Sequence, residues 1–224
     1  MIKNFTRMAL MAGTIAMTTT AASAEDTHAI LAGMDCAADE MFLDRTSGSE
    51  DNYGGALDPA TPRANLADSP AIANYNTTIG ATTNRQYDQG GNNRFFIDTI
   101  RNLRPAGKQA TQAMLLIRMK STGGQFDTDS LLFGDLRRHG DTSPGGTGLM
   151  QPSDFASAKA DNMGATGWSQ TGDIYHADLS TIMTRDGSRS LLDIINAGND
   201  RSLDVLVQDD ANVDFIKIAT CVAP

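Results

Sequence analysis

The sequence predicts an all-β protein: an antiparallel β-sandwich, jelly-roll-like, with long polar loops and a short helix. Three observations carry this. Apolar residues recur with period two in several short runs, as in residues 94–103 (RFFIDTIRNL) and 110–120 (ATQAMLLIRMK), which is the pattern of strands with one buried face. The chain holds 21 glycines, set among Asp, Asn, Ser and Thr between those runs, where turns form. No strand–helix–strand rhythm occurs, which argues for antiparallel layers rather than a parallel sheet.

The elements follow in order. Lys3 and Arg7 precede an apolar run (MALMAGTIAM, 8–17), and Ala22-Ser23-Ala24 follows. A basic start, an apolar segment and a small-residue box predict a secretory signal peptide over 1–24, cleaved after Ala24. The mature chain is then one exported domain, 25–224, either periplasmic or extracellular. No later run approaches the ~20 apolar residues of a membrane-spanning helix. Residues 25–33 are expected to be a short tether. Residues 34–44 (MDCAADEMFLD) read as the first strand or a short helix. From 45 to 93 the chain is polar and rich in turn signals such as Gly54-Gly55, Asp58-Pro59 and Gly90-Gly91. A stretch this long inside a compact domain should hold short strands or functional loops.

The middle is more regular. In 94–103, Phe96, Asp98 and Ile100 share one face, and Phe95, Ile97 and Thr99 the other. Arg104-Pro105-Ala106-Gly107 is a turn. In 110–120, Ala113, Leu115, Ile117 and Met119 share a face; a helix competes here, because Ala, Gln, Met and Leu are good helix formers. Residues 129–136 predict a further strand, 153–160 a short helix within a loop-rich region, and 168–179 another strand. Residues 190–197 (SLLDIINA) predict one or two helical turns stopped by Gly198. Residues 202–208 and 213–221 are the last two strands.

The two cysteines, Cys36 and Cys221, are 185 positions apart. In an oxidising compartment they predict one disulfide, worth on the order of 5 kcal/mol by loop entropy. Two buried thiols are the alternative. Loss of the signal peptide removes two positive charges and no acid, taking the formal charge of −9 to −11. That balance argues against nucleic acid, whose phosphates want Lys and Arg, and against anionic membranes. It suits cations, neutral polysaccharide or simple solubility.

The stretch LDVLVQDDANVDFIKI (203–218) places Asp209, Asp210 and Asp214 around a tight connection. Asp and Asn are ordinary turn formers there. Asp214 fits that role poorly, because it opens an apolar strand where a carboxylate needs a partner. Calcium takes six to eight oxygens from separate loops. Asp209, Asp210 and Asp214, joined by Asp127 and Asp129 (FDTDS), form a candidate calcium set, though the spacing is not that of an EF-hand.

Phe96, Thr99, Leu103 and Pro105, then Asp129-Ser130-Leu131, then 203–216, resemble secreted bacterial jelly-roll β-sandwich modules of carbohydrate-binding or galactose-binding-like type. The likeness covers the second half of the chain. It implies a jelly-roll fold, a structural calcium and a noncatalytic role.

Sugar sites stack rings on aromatic platforms, but the chain has one tryptophan, Trp168, and four tyrosines. Trp168 reads as packing. No H-E-x-x-H, C-x-x-C or G-x-S-x-G occurs. His139 and His176 each lie near an aspartate, and His176 reads as a cross-strand residue. The expectation is an exported noncatalytic protein that binds a polysaccharide or cell-surface glycan, or adheres. A glycan-directed hydrolase and a self-assembling surface subunit are the alternatives.

Overall fold

The structure is a computed structural model, and it describes residues 24–63, 86–91, 94–122, 130–136, 145–155 and 166–224. It is an all-β sandwich of two antiparallel sheets. Strands β1 (Met41–Gly48), β7 (Ala211–Val222), β3 (Ala110–Ser121) and β5 (Asp173–Asp178) form one sheet in the order β1-β7-β3-β5. Strands β2 (Arg94–Ile100), β6 (Leu203–Asp209) and β4 (Ser130–Gly134) form the other in the order β2-β6-β4. These pairings establish the sandwich; they do not by themselves trace a jelly-roll path.

Period-two alternation supplies the core. Ala113, Leu115, Ile117 and Met119 of β3 face Phe96, Ile100, Leu131, Phe133, Leu203, Val205 and Val207 of the opposing sheet, all buried in one cluster. Helix α3 (Leu191–Ala197) closes one end with Leu191, Ile194 and Ile195. Ser190 caps it: its hydroxyl accepts from Asp193 N (3.1 Å), and the Asp193 carboxylate accepts from Ser190 N (2.8 Å). This reciprocal box satisfies two otherwise orphaned donors. Helix α2 is short, at Pro152–Phe155; the remainder of the predicted 153–160 helix lies outside the described residues. Trp168 is fully buried, with its indole N–H donated to Gln151 Oε1 (2.7 Å), as packing rather than as a platform.

Three expectations need correcting. The first is that residues 25–33 would form a tether. Most of that span belongs to α1 (Ala24–Leu31), whose Ile30 and Leu31 cover Leu116, Ile174 and Phe215 on the outer face of the four-stranded sheet. An apolar patch there needs a cover, and α1 supplies it.

The second is that residues 209–212 would connect the last two strands as a closing hairpin. The connection shrinks to Asp210 alone, and it is no hairpin. Strand β6 lies between β2 and β4, while β7 lies between β1 and β3. The chain therefore changes sheets at Asp210, as strands do at sandwich corners. The Asp210 carbonyl is held by the backbone N–H (2.7 Å) and the hydroxyl of Thr122.

The third is the facing of β7, where plain alternation predicts Val213 and Phe215 on one side and Asp214, Ile216 and Ile218 on the other. Val213, Ile216 and Ile218 are in the core, whereas Phe215 packs under α1. The cause is a bulge, since Arg118 pairs with Phe215 while Met119 pairs with Val213, leaving Asp214 as the extra residue. The Cys36–Cys221 disulfide is present, with Cα atoms 5.4 Å apart, and ties the segment after α1 to β7.

Candidate metal centre

The bulge decides where Asp214 goes. An extra residue bends the strand and re-aims its side chain, and Asp214 becomes fully buried beneath the loop that follows β1. Its Oδ1 accepts the backbone N–H of Tyr53 (3.1 Å), and its Oδ2 meets Arg118 Nη1 at 3.5 Å. The loop is shaped to make this contact. Asn52 and Tyr53 both take left-handed backbone, with φ of 65° and 61°. Asparagine tolerates that region, whereas a bulky tyrosine enters it only when its surroundings compel it. Here Arg118 donates to Asn52 Oδ1 (2.5 Å). The Tyr53 ring lies beneath Lys120 Nζ, 3.9 Å from its centroid, with the Arg118 guanidinium at 5.4 Å, both cation–π contacts.

Asp88 approaches from another direction. It too is left-handed (φ 61°), and its N–H bonds the Val213 carbonyl (2.8 Å). Both of its carboxylate oxygens are sequestered, and no donor among the described residues reaches either. Asp51 completes the group, accepting from Ser49 Oγ (3.1 Å) and Gly54 N (3.2 Å). One oxygen from each of Asp51, Asp88 and Asp214 lies within 4.8 Å of the others. Burial, followed by the neighbouring Asp214 carboxylate, pushes the Asp88 carboxyl up to about 7. Burial also raises Asp214, against the Tyr53 N–H and Arg118, which hold it down.

Charge completes the description. Three carboxylates face two cations, Arg118 and Lys120, so the cluster is short of one positive charge. A proton on Asp88 or a bound cation supplies it. The spacing suits calcium, whose ligand oxygens at 2.3–2.6 Å sit up to about 5 Å apart. The donor set is oxygen throughout, as a hard cation requires.

Of the five aspartates singled out in the sequence, Asp210 and Asp214 have described side chains, and of these two Asp214 belongs to this group. Asp210 sits at the sheet switch, apart from it. Asp209 ends β6 opposite Arg94, with its side chain outside the described residues, and Asp127 and Asp129 lie outside them altogether. Sequence reasoning missed Asp51 and Asp88. The signal was there in DNYGG and YDQGG, where Asp, Asn and Gly crowd together as left-handed turns require. His139 lies outside the described residues; His176 sits half-buried on β5 opposite Leu116.

Comparison with protein-family models, curated proteins and solved structures finds no match to this chain.

Two other buried acids, Asp98 and Asp204, have structural partners. Asp98 faces inward at the sandwich rim, where it accepts from Tyr87 OH (2.7 Å), Ser47 Oγ (2.5 Å), Thr61 N (2.7 Å) and Thr99 N (2.8 Å). Asp204 lies on the outer face of the three-stranded sheet. Thr99 Oγ1 (2.7 Å) and Leu136 N (3.0 Å) donate to it, and Arg63 Nη2 stands 3.6 Å away. Arg63 also pairs with Asp135 (2.6 Å) and Asp200 (3.0 Å). Burial raises the Asp204 carboxyl to about 6, although Arg63 and both donors oppose this. Among the described residues, no helix is long and apolar enough to cross a membrane.

Proposed function

We propose that the protein is an exported, noncatalytic β-sandwich module that binds a glycan or adheres at the cell surface, with calcium locking the loop over β7. The observation that carries this reading is the convergence of Asp51, Asp88 and Asp214 within 4.8 Å, with no donor among the described residues reaching the sequestered Asp88 oxygens. The Asp88 and Asp214 carboxylates, closed off in this way, are suited to hold a loop rather than to meet a substrate, because general acid–base work needs contact with the reacting group. The Cys36–Cys221 bridge supports an oxidising destination.

Thermal melts in calcium and in EDTA test the metal, using the wild-type mature chain and Asp51→Asn, which alters the exposed member of the cluster. Calcium at a hundredfold excess over its dissociation constant should stabilise the wild type by about 2.7 kcal/mol and the variant far less. Equal melts in calcium and EDTA would remove the metal. Co-sedimentation with insoluble cellulose, chitin and β-1,3-glucan tests recognition, and failure to bind all three would count against it.

A second reading, self-assembly, draws on β1. This strand has one hydrogen-bonded neighbour among the described residues and exposes Met41 (42 %) and Phe42 (47 %), and open apolar edges invite strand pairing. A concentration-independent monomer in size-exclusion chromatography would exclude it.

A further inference from the structure

The proposed glycan role lacks a place for the sugar, and the outer face of the four-stranded sheet supplies one. Between α1 and β1 lies an open cavity of about 350 Å³, at the small end of the range for ligand sites. Its walls come from four parts of the chain: His28 and Leu31 of α1, Phe42 and Asp44 of β1, Glu50 of the following loop, and Lys217 of β7. The sheet register explains the grouping. Phe42 is opposite Cys221, and Asp44 is opposite Ala219. Alternation therefore places Phe42 and Asp44 on the same outer face as Lys217. The small Ala219 lies between the bulkier positions of β7.

The polar groups differ in how far they are already committed. Lys217 is 8 % exposed, and its ammonium is bound by Glu50 Oε1. The other oxygen of Glu50 accepts the Thr27 hydroxyl (3.0 Å). Glu50 is thus used up in fixing α1 and Lys217. Asp44 is not. It stands 4.0 Å from Lys217 Nζ, takes one long hydrogen bond from Thr46 Oγ1 (3.4 Å), and its side chain is 39 % exposed. Two carboxylates around one ammonium leave the pocket with one net negative charge, which disfavours phosphates and other anions. What remains is an accepting carboxylate beside an exposed aromatic ring. A sugar ring matches both, since adjacent hydroxyls donate to a carboxylate and the C–H face stacks on the aromatic.

We propose that this cavity binds one neutral or amino pyranose ring, with its C–H face on Phe42 and a hydroxyl pair on Asp44. The proposal rests on the glycan-binding reading and gives it a location. The disulfide serves the site by holding the segment between α1 and β1 against β7, because Cys221 is the cross-strand neighbour of Phe42. The wall is thereby pre-organised, which lowers the ordering cost of binding.

The test is amide-shift mapping of the mature protein titrated with methyl β-glucopyranoside, N-acetylglucosamine and glucosamine, alongside the polysaccharide co-sedimentation. Shifts should concentrate in residues 27–32 and 42–50. Phe42→Ala and Asp44→Asn, both surface changes, should each weaken binding roughly tenfold or more. Wild-type binding with shifts elsewhere, or binding left intact by both variants, would overturn the pocket and leave the glycan reading standing. A wild-type protein that binds neither the monosaccharides nor the polysaccharides would overturn both.

Discussion

The buried carboxylate of Asp214 accepts the backbone N–H of Tyr53, 161 positions earlier in the chain. One bulge residue thus pins the loop that leaves β1, and Arg118 holds both partners through Asp214 Oδ2 and Asn52 Oδ1. Removing one member of a buried ion pair strands the other, at a cost of about 3 kcal/mol. Asp214→Asn and Arg118→Met should each lose about that much in urea unfolding, and the double variant should lose clearly less than the sum. Additive losses would show that the two side chains act separately.

Gly48 lies directly under this contact. Its φ is +80°, and a Cβ there would come within 2.4 Å of the Asp214 carbonyl oxygen and 2.6 Å of the Tyr87 ring. Gly107 provides the control, with nearly the same φ (+75°) and nothing within 4 Å of its would-be Cβ. Gly107→Ala should cost only the left-handed penalty, about 1–2 kcal/mol. Gly48→Ala adds a clash with backbone, which cannot rotate away, and should cost at least about 3 kcal/mol. Thermal melts of the two variants would separate conformational strain from crowding. Equal losses would mean that the loop yields freely.

The sandwich itself was legible because alternation reports burial directly. The core face of β3 was readable as Ala113, Leu115, Ile117 and Met119, and these are the residues that pack inward. Ser190 and Gly198 bound α3 for the same local reason, capping chemistry. The sheet switch at Asp210 was not legible, since a short polar connection looks the same whether the next strand pairs with the last or crosses to another sheet. The bulge at Asp214 shifts every later side chain by one face, and a one-residue slip leaves no mark in composition. The acidic cluster was hidden for a further reason. Asp51 and Asp88 reach Asp214 only through the folded loops, so spacing along the chain could point to Asp214 as a misfit and go no further.

Asp204 should make stability depend on pH in an unusual direction. Its folded carboxyl titrates at about 6, against about 3.9 in an unfolded chain. The folded state therefore holds this proton more tightly. The stabilisation is fully present below about pH 4 and is lost as pH rises through 6. Asp204→Asn cannot titrate, so the stability of the wild type relative to this variant should fall between pH 4 and pH 7, by about 2–3 kcal/mol at most. Urea unfolding of both proteins at pH 4, 5.5 and 7 measures the difference. A relative stability that rises over this range would mean that Arg63 overcomes burial.

Arg104 closes the open end of α3. The last carbonyls of a helix have no partners within it, and here one guanidinium takes several of them. Nε donates to Ile195 O (3.1 Å), and Nη2 to Asn196 O (2.8 Å) and Gly198 O (3.0 Å). Nη1 reaches back to Lys108 O (2.8 Å), joining the turn before β3 to the helix end. Buried carbonyls left without donors cost about 1–3 kcal/mol each, and charge-assisted donors are the stronger kind. Arg104→Met keeps most of the bulk and removes every donor, so it should destabilise the fold by about 3 kcal/mol or more. Arg104→Lys restores the charge but not the planar fork that spans three carbonyls, so it should recover less than half of that. Amide hydrogen exchange adds the local readout. Protection should fall first at the C-terminal turn of α3 and at 108–110, ahead of the β3 centre. Unchanged protection there in Arg104→Met would show that packing of Leu191, Ile194 and Ile195 alone holds the helix in place.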